Sequence, residues 1–370
     1  MDRTRSCRPS EAFGGAVVSV FRRQKSLVGL DLGSSVVKAV ELTLEGPEPV
    51  VTGFARHEIP PGGSIADAVA ACFAGGRFKS KKVVTAVSGQ SVVVRYVSMP
   101  KMSENELRQA IRFETDKYLP FELDEVQLDL QPLDRAPSSN ESGKGKDGEQ
   151  QAVLLAACKT RAIEERIQLV QGQGLSPVAI DVDVFALANA WELCGLPAEE
   201  AVAGEPRKAI ALVDVGSTRT SINVIAGGET CFSREINIGG ADMTQAVARA
   251  MSIENFEAEA IKRASEAHEL EVNTAIQPVL EDLVGELSLS LDYVEHHEGV
   301  QVEEILLSGG GVLAPGAAQH IEQATGRKAR TWNPLEGLRV DASRVDVEEL
   351  ETWAPTLVVA VGLASRVRTS

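Results

Sequence analysis

Apolar residues fill positions 27–32 except at Gly29 and Asp31, pause at Gly33-Ser34-Ser35, and resume at Val36, Val37, Ala39, Val40 and Leu42. Two strands joined by a tight turn give that pattern. A third strand follows at 50–59, and a helix at 65–73. Two apolar runs at 81–87 and 91–99, separated by Ser88-Gly89-Gln90, read as a hairpin. Ser103-Glu-Asn-Glu106 is a capping box and opens a helix through Tyr118, with Leu107, Ile111 and Glu114 on one face. Strands at 124–132, 152–158 and 175–183 enclose a helix at 160–171, and a further helix covers 185–194. In the second half, strands at 231–237 and 302–307 alternate with helical spacing at 241–251, 255–268 and 273–297. Helices at 315–325 and 354–366 close the chain. The last carries Ala360, Gly362 and Ala364, small enough for close packing at a hinge.

The opening pattern recurs. Ala209 to Ile225 again runs an apolar strand into Asp214-Val-Gly216-Ser217-Thr218 and leaves by a second strand. Two such units suggest a duplicated α/β fold. A third turn, Ser308-Gly309-Gly310-Gly311, follows a strand, with Pro315 near the start of the next helix. Successive N–H groups in tight Gly-Ser turns form a donor nest suited to phosphate oxygens, and a helix N-terminus favours anions. Asp31 can hold a divalent cation through water, and Lys38 adds a point charge. Taken alone, an Asp at such a strand end is more often a turn cap.

Polarity divides the chain. Residues 134–150 are Ser, Gly, Lys and Glu with almost nothing apolar, so they are expected to form a flexible loop. Residues 197–207 read as an acidic, Ala-rich linker between domains. Residues 1–25 read as a disordered leader, with a short basic membrane-surface helix at 16–25 as the alternative.

The formal net charge of −16 and pI near 4.9 argue against nucleic-acid binding. So does an aromatic content of 4%, which leaves few stacking platforms. Five scattered cysteines without a C-x-x-C read as reduced thiols. No run approaches the roughly 18 apolar residues that span a bilayer, and Gly14, Gly15 and Ser19 interrupt any signal-peptide core. A cytoplasmic protein is expected.

Two Asp-x-Gly hairpins and a late Ser-Gly-Gly-Gly turn resemble the actin, sugar kinase and seventy-kilodalton chaperone superfamily. The opening Lys-Ser-Leu-Val-Gly-Leu-Asp-Leu-Gly-Ser-Ser-Val-Val-Lys-Ala-Val-Glu-Leu narrows the resemblance. So do Met99-Pro-Lys-Met-Ser-Glu-Asn-Glu-Leu and Ile111-Arg-Phe-Glu-Thr-Asp-Lys-Tyr-Leu-Pro-Phe. From about Gln24 to near the C-terminus, the chain resembles the PilM family, the actin-like proteins of type IV pilus assembly.

That resemblance implies an α/β, actin-like (ribonuclease H-like) two-domain fold with a nucleotide cleft. Domain 1 would cover 26–196, with a small α/β subdomain inserted at about 99–158, and domain 2 would cover 208–370 and end in a hinge helix. ATP phosphates would lie against Gly33, Ser34, Ser35 and Lys38 on one side, and Gly216, Ser217 and Thr218 on the other. Asp31 and Asp214 would hold Mg2+ through water. Glu259 and Lys262, otherwise a solvated ion pair, and Gly309, Gly310 and Gly311 would flank the adenosine. Asp183, otherwise a helix N-cap, would orient the water of a slow ATPase. Ile111, Tyr118 and Phe121 would line a groove for the cytoplasmic tail of the membrane protein PilN.

The implied function is an ATP-binding scaffold at the cytoplasmic face of the inner membrane, coupling nucleotide state to pilus assembly and twitching motility. It would reach the membrane through partners, including other pilus platform proteins, and self-association stays open. Two alternatives belong to other classes. A sugar-type kinase would need an aspartate base in the cleft. A cell-division-type filament former would need a basic amphipathic tail.

Overall fold

The computed structural model describes residues 26–46, 48–113, 115–133, 150–194, 207–264 and 267–368. The expected leader at 1–25, most of the expected loop (134–149) and nearly all of the expected linker (197–206) lie outside the described residues.

Three strands open the first sheet as an antiparallel meander: β1 (Ser26–Leu32), β2 (Val36–Glu45) and β3 (Glu48–Glu58). Helix α1 (Ile65–Gly75) then carries the chain to β4 (Lys82–Val87), which lies parallel to β1. A short 3-10 turn, Gly89–Ser91, leads into a separate sheet. It contains β5 (Val92–Pro100), β6 (Val126–Leu133) and β7 (Gln150–Lys159) in the order β5-β7-β6. Helices α2 (Glu104–Phe113) and α3 (Thr115–Tyr118) belong to this subdomain. Helix α4 (Thr160–Gly172) returns to β8 (Ser176–Val182), parallel to β4, and α5 (Asp183–Leu193) follows.

The second half repeats the plan. Strands β9 (Arg207–Val215), β10 (Thr220–Ala226) and β11 (Glu229–Ile236) form an antiparallel meander. Helices α6 (Gly240–Met251), α7 (Asn255–Arg263) and α8 (Glu269–Glu298) precede β12 (Val300–Ser308), which is parallel to β9. Helix α9 (Ala317–Thr325) and β13 (Lys328–Thr331) complete the sheet. Its order, β11-β10-β9-β12-β13, matches β3-β2-β1-β4-β8 of the first sheet. The duplication read from two hairpins therefore extends through whole sheets.

The chain then crosses back. Strand β14 (Arg339–Val340) pairs with β3, α10 (Val347–Trp353) follows, and α11 (Val358–Ala364) packs against α5 and β1. The segment expected to finish the second domain thus adds an edge to the first sheet. One core cluster joins Leu27, Val40 and Leu42 of the first sheet to Leu212, Ile225 and Leu306 of the second through α5 and α11. Each buried leucine there contributes about 1.5–3 kcal/mol, and the two sheets share this core. The small residues of α11 serve this contact, because a Cβ at Gly362 would fall on the Ala186 carbonyl of α5.

Several sequence expectations are corrected. The hairpin at 81–99 does not form: β4 sits between β1 and β8, while β5 pairs with β7. Residues 83–87 are all buried, as in a strand covered on both faces, whereas β5 is only partly covered. The expected helix from Ser103 is helical at 104–113 and again at 115–118, with residue 114 outside the described residues, and Glu106 accepts the Ser103 N–H at 2.8 Å. Helix α7 ends at Arg263 rather than 268. After the Gly-rich turn comes a 3-10 turn, Gly310–Leu313, so α9 starts only at Ala317, beyond Pro315. The subdomain begins at Val92, earlier than expected.

Candidate functional site

The central strands β1 and β9 both end at one cleft of about 780 Å³. Such ends of α/β sheets are where ligands bind. Gly33 and Gly216 follow the two strands, and each turn is too tight for a side chain. A Cβ would lie 2.7 Å from the Val36 carbonyl oxygen in the first and 2.9 Å from the Arg219 carbonyl oxygen in the second. The turns meet across the cleft. Ser35 Oγ is 2.6 Å from Ser217 Oγ, and Ser34 Oγ is 3.4 Å from Thr218 Oγ1. The two glycine turns are therefore opposing lips of one crevice.

The strand registers place Lys38 opposite Asp31 and Ser221 opposite Asp214. Lys38 Nζ donates to Asp31 Oδ2 at 2.6 Å. Burial pulls the Lys38 pKa down, but the charges of Asp31, Asp214 and Asp183 outweigh it and hold the ammonium above its ordinary range. Asp214 accepts from Ser308 Oγ at 2.8 Å. Burial raises its pKa despite Lys38 and Ser308.

Asp183, the first residue of α5, also faces the cleft. Burial, then the charge of Asp31, pushes its pKa up to about 7, against a hydrogen bond from Ser88. Val182, not Asp183, holds the N-cap position. Asp181 is bound instead to Arg366 Nε at 2.7 Å and Asn189 Nδ2 at 3.3 Å, which makes it structural.

Three carboxylates, with Lys38 beside them and Arg166 acting on Asp183 and Asp31, leave the floor acidic. Among the described residues no cluster of three His, Cys, Asp or Glu side chains could hold a metal ion. Asp31 and Asp214 each keep one carboxylate oxygen outside the bonds above, a donor set that suits a hydrated divalent cation rather than a caged one.

The second wall is built on α6 and α7. Gly240 and Ala241 donate their N–H groups to the carbonyls of Gly216 and Ser217 at 2.9 and 2.7 Å, docking the start of α6 on the turn. Lys262 is buried, not solvated. Its Nζ lies 2.7 Å from Glu259, 2.7 Å from Thr244 Oγ1 and 2.9 Å from the Gly240 carbonyl oxygen, and Thr244 Oγ1 also donates to Glu259. Burial lowers the Lys262 pKa, and Glu259 only partly restores it. For Glu259, burial is outweighed by Lys262 and the other donors, so its pKa is lowered. The pair therefore braces α7 to α6 behind the cleft. Gly309 adopts φ +89°, a region closed to most side chains, and sits where a Cβ would strike the Val215 carbonyl. Gly310 is open, while Gly311 packs on Val215.

Other cleft residues have no local signal in the sequence. Arg263 Nη1 bonds Glu58 Oε1 at 2.6 Å, joining α7 of one half to β3 of the other across the lip. Arg56 bonds the same oxygen at 2.9 Å and stacks 3.8 Å over the Trp353 ring. Phe256 and Leu313 line the cleft wall while remaining 75% and 44% exposed.

The expected peptide groove is corrected. Ile111 is completely buried in the subdomain core and cannot line an open surface. Tyr118 and Phe121 are half-buried at the edge of that core, with Lys159 Nζ 4.9 Å from the Phe121 ring centre. No helix among the described residues is long and apolar enough to cross a membrane.

Comparison with known proteins adds to this geometry. A family model described as type IV pilus assembly protein PilM matches residues 29–368. The structure of a PilM-PilN type IV pilus biogenesis complex superposes with a TM-score of 0.78 at 30% identity, covering 94% of this chain and 99% of that one. Ethanolamine utilization protein EutJ from Carboxydothermus hydrogenoformans matches in fold at 17% identity, with a TM-score of 0.51 and 92% and 89% coverage. Escherichia coli (strain K12) EutJ is 30% identical over 109 residues, only 36% of its length and 29% of this chain.

Proposed function

The chain belongs to the family of type IV pilus assembly protein PilM, and from that premise we propose that it is an actin-like, ATP-binding scaffold of the pilus assembly platform. In this reading it binds the cytoplasmic tail of a PilN-type membrane protein. Nucleotide state would bias the closure of its two halves and so its hold on that partner. The observation that carries the nucleotide part is the pair of Gly-Ser turns meeting across one cleft, with Asp31 and Asp214 beneath them.

The backbone and hydroxyls of Gly33, Ser34 and Ser35 would hold phosphate oxygens from one side, and those of Gly216, Ser217 and Thr218 from the other. Lys38 would supply charge between them. Magnesium, when bound, neutralises phosphate charge, and Asp31 and Asp214 would hold it through water. Lys262 and Glu259 position the α6–α7 wall against which the adenosine would lie, with Gly310 leaving room beside it. Asp183 would be the side chain to orient a water, and a carboxyl with its pKa near 7 would be about half ionised at neutral pH.

The similarity to the PilM-PilN complex over nearly the whole chain supports the partner assignment and a location at the inner face of the inner membrane through that partner. We place the docking face on the three-stranded subdomain without assigning contacts. A synthetic tail of the PilN-type protein, immobilised and offered the full chain with and without Mg-ATP, tests the proposal. Retention that changes with nucleotide is expected, and failure to retain either tail or nucleotide would overturn it.

A further inference from the structure

We propose that Arg219 reads the terminal phosphate of the bound nucleotide and passes that state through Glu235 and Gly89 into the three-stranded subdomain; the proposal rests on the nucleotide-scaffold reading above. Among the described residues, five Lys and Arg side chains line the cleft: Lys38, Arg56, Arg219, Lys262 and Arg263. Four are closely held. Lys38 is 2.6 Å from Asp31, Lys262 is 2.7 Å from Glu259, and Arg56 and Arg263 share Glu58 at 2.9 and 2.6 Å. Arg219 is different, because its ion-pair partner Glu235 stands 3.9 Å away. A loosely paired guanidinium in a phosphate-sized cleft can turn to a better anion at little cost, and its planar fork suits two phosphate oxygens.

Its position gives the signal somewhere to go. Arg219 directly follows the Gly216-Ser217-Thr218 turn, and its carbonyl accepts the Gly216 N–H at 2.8 Å. Its side chain crosses to the first half and lies against Gly89. That residue has φ +77°, and a Cβ there would fall on the Arg219 guanidinium. Glu235 of β11 accepts the Gly89 N–H at 2.7 Å. Gly89 opens the 3-10 turn that runs directly into β5, the first strand of the subdomain. Further along β5, Tyr96 Oη is 3.1 Å from Ser233 Oγ, again on β11. The second half therefore holds the root of the subdomain through Glu235, and the cation paired with that carboxylate among the described residues is Arg219.

A terminal phosphate drawing Arg219 away leaves Glu235 facing a new anion without its counter-charge. The carboxylate then withdraws from the Gly89 amide and loosens the turn into β5. A diphosphate, which ends short of this point, leaves the clasp closed.

The test uses the full chain with Mg-ADP and with a magnesium complex of a non-hydrolysable ATP analogue. Titration calorimetry gives the affinities, and amide hydrogen exchange is followed at 89–100. In the wild type, exchange at the Gly89 amide is expected to be several-fold faster with the analogue than with ADP. Arg219→Gln should bind ADP normally, lose about tenfold affinity for the analogue, and abolish the exchange difference. Arg219→Lys should restore part of the discrimination, because it keeps the charge without the fork. Glu235→Gln should exchange quickly with either nucleotide and, because linkage is reciprocal, bind the analogue more tightly relative to ADP than the wild type does. An R219Q protein with the wild-type affinity ratio overturns the proposal, as does wild-type exchange that is the same with both ligands. If the wild type binds neither nucleotide, the reading of the cleft falls and the relay with it. If it binds both without discrimination or change in exchange, only the relay falls.

Discussion

Asp183→Asn should stabilise the nucleotide-free protein, and the gain should depend on pH. The carboxyl is buried beside Asp31, and its pKa rises from an ordinary 3.8 to about 7. Below about pH 4 the group is protonated whether the chain is folded or not, and contributes nothing. Between about pH 4 and 7 the unfolded chain releases the proton while the cleft retains it, so each pH unit removes roughly 1.4 kcal/mol from the native state. Above about 7 the full penalty, on the order of 4 kcal/mol, is in place. Partial exposure of the residue and screening reduce this to about 2–4 kcal/mol. Asparagine cannot ionise and keeps an oxygen to accept from Ser88, so it removes the penalty and little else. Urea unfolding of both proteins at pH 4.5, 6 and 8 measures the effect. The gap should be smallest, about 1 kcal/mol or less, at the lowest pH and widest at the highest. A gap independent of pH, or a variant less stable at pH 8, would refute a protonated carboxyl in the cleft.

Three further outcomes follow from the same geometry. Gly362→Val should cost about 1–3 kcal/mol or more, because its side chain must displace the Ala186 carbonyl; an unchanged melting temperature would disprove the close contact of α5 and α11. Glu58→Gln removes the carboxylate that joins Arg263 and Arg56 across the lip. A pair this exposed is worth about 0.2–1 kcal/mol, so stopped-flow release of a fluorescent nucleotide should quicken about two- to fivefold, with the difference fading in high salt. Lys262→Met leaves Glu259 without its buried partner and should lower stability by about 2–4 kcal/mol together with nucleotide affinity. A variant that loses neither would show that the pair does not brace the α6–α7 wall.

Local chemistry made half of this site readable from sequence. An apolar run ending in Asp-x-Gly-Ser needs only its own neighbours to be a strand and a tight turn, and two copies give the duplicated plan. The glycines and alanines of α11 likewise announced a close approach. Other features depend on partners far away in the chain. Strand β14 is two residues long and exists because Arg339 and Val340 meet Val50 and Val51, so no periodicity reveals it. Ile111 and Leu107 share a helical stripe, and a stripe alone does not distinguish a core from a groove; here it is core. The lip of Arg56, Glu58, Arg263 and Trp353 comes from three distant stretches, each of which reads as an ordinary exposed charge or end of an element.

The two halves are equivalent in topology but not in chemistry, and the difference explains how one cleft can be sensitive to what fills it. Where the first hairpin places Lys38 opposite its aspartate, the second places Ser221. One lysine therefore serves Asp31 directly and Asp214 and Asp183 at longer range. Two matched lysines would balance the floor and leave a bound phosphate little to change. With one, the floor keeps a surplus of carboxylate that burial penalises, visible in the raised pKa values of Asp214 and Asp183. On the proposed reading, a cation with its polyphosphate would relieve that penalty only while both halves stay close enough to share it, because Asp31 and Asp214 come from different sheets. Binding energy would thereby be directed into closure, which the contacts between the halves at Ser35–Ser217, Glu58–Arg263 and Gly89–Glu235 would register. The last of these lies at the root of the subdomain, so on the proposed reading the same charge imbalance would be felt at the surface a partner would meet.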